Sequence, residues 1–208
     1  MRSRLRRVLI GLLKRAGVLS DQQWCRVVMD RETSRLVSLL DPTRLSVLEI
    51  SGAAWRDKFP FKRYRSVGYP EYDVCSSRLD ESFDLVIAEQ VWEHIAWPVQ
   101  ATANVFAMLR PGGSFLVTTP FMLRVHPVPL DCSRWTEVGL RHLLMGAGFE
   151  GNRIQTGSWG NRQCVVGNFS EWAPYNRLTH SLENESEFPV VVWGLATRPQ
   201  EKKMKDDH

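Results

Sequence analysis

The sequence predicts an α/β fold in which an open, mostly parallel sheet carries helices on both faces. Three observations predict it. Short runs rich in strand-forming residues recur, namely LSVLEI (45–50), FDLVIAEQ (83–90) and SFLVTTPF (114–121). Stretches with apolar residues at helical spacing alternate with them, which is the pattern of βαβ units. The strand centres are apolar at nearly every position, as expected of strands buried on both faces.

The elements follow in order. Leu5, Val8, Leu9, Leu12, Leu13 and Ala16 fall on one helical face, which Gly17 ends. Ser20-Asp21 suits the cap of a second helix carrying Trp24, Val27, Val28, Leu36 and Leu39-Leu40, with a break near residue 31 and a stop at Pro42. LSVLEI is the first strong strand, KRYRSVGY (62–69) a second and FDLVIAEQ a third. The stretch 91–110 reads as helical, with Pro98 opening its main segment. RPGG (110–113) is a turn, since proline presets φ and glycine permits positive φ. SFLVTTPF follows as a strand, and 136–149 as a helix capped by Thr136. NRIQTG (152–157), RQCVVGNF (162–169) and VVVWGLATR (190–198) are weaker strand candidates. Without a helix between them, the late strands suggest an antiparallel edge hairpin. The expected organisation is a helical arm or lid over 1–40, a main domain over 41–198 and a disordered tail over 199–208.

With 208 residues, 43% hydrophobic and 24% charged, the chain has the composition of one soluble domain. Much of its net charge of +4 lies in Arg2, Arg4, Arg6, Arg7, Lys14 and Arg15. Such a cluster can meet nucleic acid or an anionic lipid surface, but a solvated helix face is the simpler reading. No RNA-binding motif accompanies it, so nucleic acid and membrane are not the expected partners. The four cysteines lie far apart without CxxC or zinc spacing, and read as reduced thiols of a cytoplasmic protein. The run VLIGLL is far short of the ~20 apolar residues of a membrane span.

In open α/β sheets ligands bind beyond the carboxyl ends of the strands, which directs attention to VLEISGAAW (47–55). Ser51, Gly52, Ala53 and Ala54 are all small, as a close backbone approach to a ligand requires, yet only one is glycine. GxGxxG and GxxxxGK[ST] are both missing, which argues against dinucleotide and nucleoside triphosphate sites. Glu49 stands where a central strand should be apolar. It either meets a donor group of a ligand, caps a turn, or pairs with an arginine such as Arg56.

Three segments resemble those of the class I S-adenosylmethionine-dependent methyltransferases, of the compact kind that acts on small molecules (methyltransferase-11-like). VLEISGAAW is similar to the family's VLEIGxGxG, FDLVIAEQVWEHI to FDxVxxxxVxEHV, and LRPGGSFLVTTP to LxPGGxxxxxxP. The resemblance implies a Rossmann-like sheet of seven strands, in the order 3-2-1-4-5-7-6 with the seventh reversed, and S-adenosyl-L-methionine as cofactor. It places Glu49 near the methionine moiety, with Ser51, Gly52 and Ala53 forming the loop. Tyr69 falls near the family's ribose-binding acid, for which Asp73 is the favoured substitute beside Glu71. Ala88, Glu89 and Gln90 would present backbone groups to the cofactor, and Trp92 would pack on the adenine or in the core. Glu93-His94 reads as scaffolding.

Methyl transfer to an alcohol needs a base, because the hydroxyl proton must leave during attack. The loop PFMLRVHPVPLDCSRWTEVGL brings Arg124, His126, Asp131, Arg134 and Trp135 close together in sequence, and similar HxxPxDxxR[WF]T stretches occur in enzymes of this type. His126 is the candidate base. Asp131 would orient it, bind an acceptor hydroxyl or hold a divalent cation such as Mg2+, and Arg134 would bind the acceptor or pair with Asp131. Trp159, Asn161 and Arg162 form a second polar and aromatic cluster suited to a saccharide, with Phe121 and Met122 as walls. The expectation is an O-methyltransferase for a small hydroxylated acceptor, a saccharide or glycoside (a mannoside precursor of a polysaccharide among them) or a natural product. Its N-terminal helices would cover the site or form a homodimer. The alternatives are a non-catalytic partner subunit and a nucleic-acid methyltransferase.

Overall fold

The computed structural model describes Gly11 and residues 17–200. The basic cluster, most of the expected first helix and residues 201–208 lie outside the described residues. Strand β1 (Leu19–Gln23) leads through a 3-10 turn at Trp24–Arg26 into helix α1 (Val27–Ser38). Then come β2 (Ser46–Ile50), β3 (Arg63–Val67), β4 (Phe83–Glu89), α2 (Pro98–Met108), β5 (Leu109–Pro120) and α3 (Glu137–Gly146). Strand β6 (Ile154–Trp159), helix α4 (Arg162–Gly167), β7 (Pro174–Asn176) and β8 (Val191–Thr197) follow.

The main sheet has the order β3-β2-β4-β5-β8-β6, with β8 antiparallel to both its neighbours, while β1 and β7 form a separate ribbon. The α/β class and the reversed late strand agree with expectation, but among the described residues the main sheet holds six strands where seven were expected. The missing one would lie outside β3. Only residues 68–82 separate β3 from β4, and each parallel crossover takes a dozen or more residues. The segment instead folds as turns, with Tyr72 N donating to Gly68 O at 2.9 Å and Asn104 Nδ2 to Val74 O at 2.7 Å.

Alternation along β4 divides the core. Val86 and Ala88 face α2 and α3, against Ala101, Val105, Leu140 and Leu144. Leu85 and Ile87 face the other side, with Val37 of α1 and Trp55. Met29 and Leu36 of α1 join Trp24, Trp159 and Trp193 in a neighbouring cluster. The expected helix from residue 20 therefore starts later, at Val27, and runs through residue 31 without a break. Residues 19–23 are a strand because they pair with β7, an interaction that local propensity does not encode.

The remaining departures are local. Residues 92–94 make a 3-10 turn, and α2 begins at Pro98. The RPGG segment lies inside β5, where the register against β4 shifts. A Cβ at Gly113 would stand 2.9 Å from Arg110 O and 3.0 Å from Phe83 O, so this approach of backbones needs glycine. Residues 162–167 are helix rather than strand, because the Asn161 side chain caps them by accepting from Cys164 N. No helix among the described residues is long and apolar enough to cross a membrane.

Candidate active site

A cavity of about 600 Å³ opens beyond the carboxyl ends of β2 and β4. Strand order reverses there, since β2 leads on to β3 on one side and β4 to β5 on the other, as expected of a ligand crevice in an open sheet. Its floor is Ile50-Ser51 and Gln90-Val91, one wall is Tyr69 with Tyr72–Cys75, and the other is His94–Trp97 with Val128–Leu130. Ser51 and Gln90, the residues that leave the two strands, have φ of 60° and 56°. Non-glycine residues in this region store of order 1–3 kcal/mol of strain and gather at functional sites. Ser51 thus adopts the backbone shape for which a glycine is usual. Its amide donates to Val67 O at 2.7 Å, which pins the bend to β3.

The expected cofactor residues divide into two groups. Ser51, Tyr69, Asp73 and Gln90 line the crevice. Tyr69 is exposed. Asp73 accepts from Cys75 N at 2.9 Å and from Ser76 Oγ at 2.6 Å, and the Ser76 hydroxyl is the main cause that holds its carboxyl below the usual range. Gln90 donates from Nε2 to Thr118 Oγ1 at 3.1 Å.

Six others do not line the crevice. Glu49 is buried and accepts from Ala54 N and Trp55 N, both at 3.0 Å, and from the Tyr64 hydroxyl. Its carboxylate therefore organises the loop from beneath, the turn-capping alternative. The same bond pushes the Tyr64 phenol upward, second to desolvation. Gly52 accepts from Ser66 Oγ, and its lost Cβ makes room for the Glu49 carboxylate. Ala53 is exposed on the loop, and Ala88 is buried against α2 and α3. Glu89 points to the α1 face, where it meets Arg26 at 3.2 Å, Lys58 at 3.5 Å and Trp55 Nε1 at 2.8 Å. Trp92 is a core residue with no exposure, packed on Phe115 and donating to Thr102 Oγ1 at 2.9 Å, so it does not stack on a ligand.

The loop after β5 docks on the segment after β4. Cys132 N donates to Glu93 O at 2.6 Å, and His94 Nδ1 is hydrogen-bonded to Leu130 O. Asp131 takes a two-pronged bond from Arg134 and accepts from His126 N at 2.8 Å. The Arg134 guanidinium is the main cause that holds the Asp131 carboxyl down at about 2. Asp131 is thus too weak a base for a hydroxyl proton, and its committed oxygens correct the expectation of a cation there. Arg134 is tied to Asp131, the pairing alternative, and so locks the loop. The stability that Asp131 contributes is fully present above its unfolded pKa near 4 and is lost as pH falls toward about 2. Urea unfolding between pH 2 and 5 should show this acid limb, and Asp131→Asn should flatten it.

His126 reaches its Nδ1 to within 3.3 Å of both Asp131 Oδ2 and Arg124 O. Its ring stands edge-on to His94 at 5.2 Å between centroids and to Trp172 at 5.4 Å. Glu93 lies between the imidazoles with its side chain only 1% exposed, and Oε1 is 3.6 Å from His94 Nε2 and 3.9 Å from His126 Nε2. Burial is the main cause that pushes its carboxyl up to about 7. Glu93 and His94, expected as scaffolding, are the residues that the loop closure brings against His126. The available signal was an acid inside the apolar frame VWEHI with no cation at helical reach. Trp172 carried no local signal.

The remaining acceptor candidates are committed elsewhere. Arg124 donates to Asn168 O at 2.7 Å and lies 4.3 Å from the Trp172 ring centre. Trp135 packs against the main core. Trp159 is buried and donates to Leu182 O at 3.1 Å. Asn161 caps α4 and donates to Glu183 O at 2.9 Å, and Arg162 pairs with Glu185 at 2.7 Å. The 158–163 cluster therefore ties down the 181–188 connection instead of forming a saccharide site.

Residues 47–117 match a family described as a methyltransferase domain. A probable S-adenosylmethionine-dependent methyltransferase of Mycolicibacterium smegmatis is 37% identical over 94 residues, which is 39% of this chain and 37% of that protein's length. The chain is also similar in fold to a chain from the complex between the Haloferax volcanii Trm112 methyltransferase activator and a methyltransferase. That match has a TM-score of 0.55 at 15% identity, over 86% of this chain and 94% of the other. An S-adenosylmethionine-dependent methyltransferase from Mesorhizobium loti matches with a TM-score of 0.52 at 13% identity, over 79% and 96%.

Proposed function

We propose, from the premise that this chain belongs to the class I S-adenosylmethionine-dependent methyltransferases, that it transfers the sulfonium methyl group to a hydroxyl of a small acceptor. The single observation behind this reading is the group Glu93, His94 and His126 beside the crevice. An amine acceptor needs little beyond alignment in front of the methyl carbon. An alcohol must also lose its proton, and an imidazole oriented through Nδ1 with a free Nε2 is built to take it. His126 has that arrangement, with Asp131 as its positioning residue. His94, oriented by Leu130 O, lies on the crevice wall itself.

The cofactor would lie across Ser51 and Gln90, with its nucleoside toward Tyr69 and Asp73. Tyr69, Trp97, Val128 and Leu130 are exposed around the mouth. That rim favours an acceptor with an apolar face, such as a glycoside or a phenolic natural product. The test has two arms. Calorimetric titration with S-adenosylhomocysteine should give binding at about micromolar Kd, worth about 8 kcal/mol. A panel of hydroxylated acceptors with methyl-labelled cofactor, read by mass, should then yield a methyl ether. No binding at millimolar ligand would instead make the chain a non-catalytic partner subunit.

A further inference from the structure

We propose that Glu93, His94 and His126 are the ligands of a divalent transition-metal ion at the edge of the crevice. The three side chains come from two separate segments that the 124–134 loop brings together, and one ligand atom from each lies within 4.8 Å of the others.

Three observations converge on this. Both Glu93 carboxylate oxygens are buried without a hydrogen-bond partner. Such a group is costly in a protein interior and calls for a missing partner. Each imidazole has its Nδ1 engaged, His94 with Leu130 O and His126 facing Arg124 O and Asp131 Oδ2. An Nδ1 proton on each ring leaves an Nε2 lone pair free, with Glu93 Oε1 at 3.6 Å from one and 3.9 Å from the other. Metal-ligating histidines are commonly held by a backbone carbonyl or carboxylate on the far nitrogen in this way. Finally, a proton shared with Glu93 would draw one pair to about 2.7–2.9 Å, whereas the separations are 3.6 and 3.9 Å. An ion taking ligands at about 2.0–2.2 Å occupies the space between such atoms after a small rotation of the side chains.

Two imidazoles and one carboxylate suit zinc and its first-row neighbours, whereas magnesium takes oxygen ligands. The chemical role of the ion rests on the methyl-transfer reading above, while its binding does not. The ion would take the acceptor hydroxyl as a further ligand and lower its pKa. The proton leaves to water. The oxygen then attacks the methyl carbon, the O–C bond forming as the C–S bond breaks with its electron pair remaining on sulfur. His126 acts in that case through the ion, with its Nε2 lone pair as ligand.

The test uses the full, untagged chain after treatment with a chelator and dialysis. Calorimetric titration with zinc chloride should show one ion per chain at about micromolar Kd or tighter, and cobalt chloride should give visible absorption bands at the same stoichiometry. Glu93→Gln and His94→Gln should each weaken binding at least tenfold, since even outer-shell changes cost about 10–100-fold. Cys132→Ser, at an exposed thiol near His94, should bind the ion as the parent does. No binding at about 1 mM zinc, parental affinity in both ligand variants, or loss of the ion in Cys132→Ser would overturn the proposal. If circular dichroism shows Glu93→Gln unfolded, His94→Gln and the cobalt spectrum decide. A parallel titration with S-adenosylhomocysteine separates the two readings. Nucleoside binding without ion binding removes the metal alone, and ion binding without nucleoside binding removes methyl transfer alone.

Discussion

Glu49→Ala is expected to unfold at a melting temperature lowered by on the order of 5–15 °C and to bind S-adenosylhomocysteine at least tenfold more weakly. The carboxylate accepts from Ala54 N, Trp55 N and the Tyr64 hydroxyl, and it is the element that shapes the loop after β2. Removing it leaves these donors without a partner, at about 1–3 kcal/mol for each one that is buried. Of the three bonds only that to Trp55 is fully buried, so the sum is roughly 2–5 kcal/mol rather than three full penalties. Each kcal/mol is about 2–4 °C for a domain of this size. Affinity falls because the bend at Ser51 loses its support, although Glu49 does not face the cavity. Tyr64→Phe removes a single bond and should show part of the melting loss with little change in affinity. Thermal unfolding and calorimetry on the same samples decide between the roles. Lost affinity at unchanged melting temperature would put Glu49 in direct contact with the cofactor, and no change in either would remove it from the site.

His126→Ala is expected to lower turnover by about 10²–10⁴-fold, the usual contribution of a positioned proton acceptor, while S-adenosylhomocysteine affinity stays within about twofold. The ring does not line the crevice expected to hold the cofactor, which separates chemistry from cofactor binding. Its far nitrogen is held by the Asp131 and Arg124 oxygens. Asp131→Asn should therefore lose less activity than His126→Ala and should also shift the pH–rate profile, because Asp131 acts through the imidazole. The same loss follows if His126 serves as a metal ligand, and the zinc titration distinguishes the two. Full turnover in His126→Ala, measured with any acceptor that the parent methylates, would remove this residue from the chemistry and leave His94 as the imidazole at the crevice.

Much of the architecture was legible in local pattern. The apolar centres of 46–50, 83–89 and 114–120 marked buried parallel strands because burial on both faces leaves no polar side to show. The Pro98 and Thr136 starts of α2 and α3 were legible because helix termini have their own residue chemistry. The β1 and β7 ribbon was not, since its reason for existing is a partner far along the chain. Helix α4 stands where a strand is expected: Val165-Val166 favour a strand locally, whereas the Asn161 cap and the tether to 181–185 decide the outcome.

The amino-acid order by itself determined the sheet class, the place of the crevice after β2 and β4, and the presence of a histidine and an acid in the loop after β5. Those features follow from periodicity, turn residues and composition, which act over a few positions. Only the tertiary structure decided what each polar group faces. Glu49 turned inward to its own loop, Trp92 and Trp159 entered the core, and Asp131 was spent on Arg134, while Glu93 and His94 came up against His126 across a loop closure. The physical reason is that a side chain's chemistry depends on burial and on partners set by packing between segments distant in sequence, and neither quantity is a property of the local run of residues.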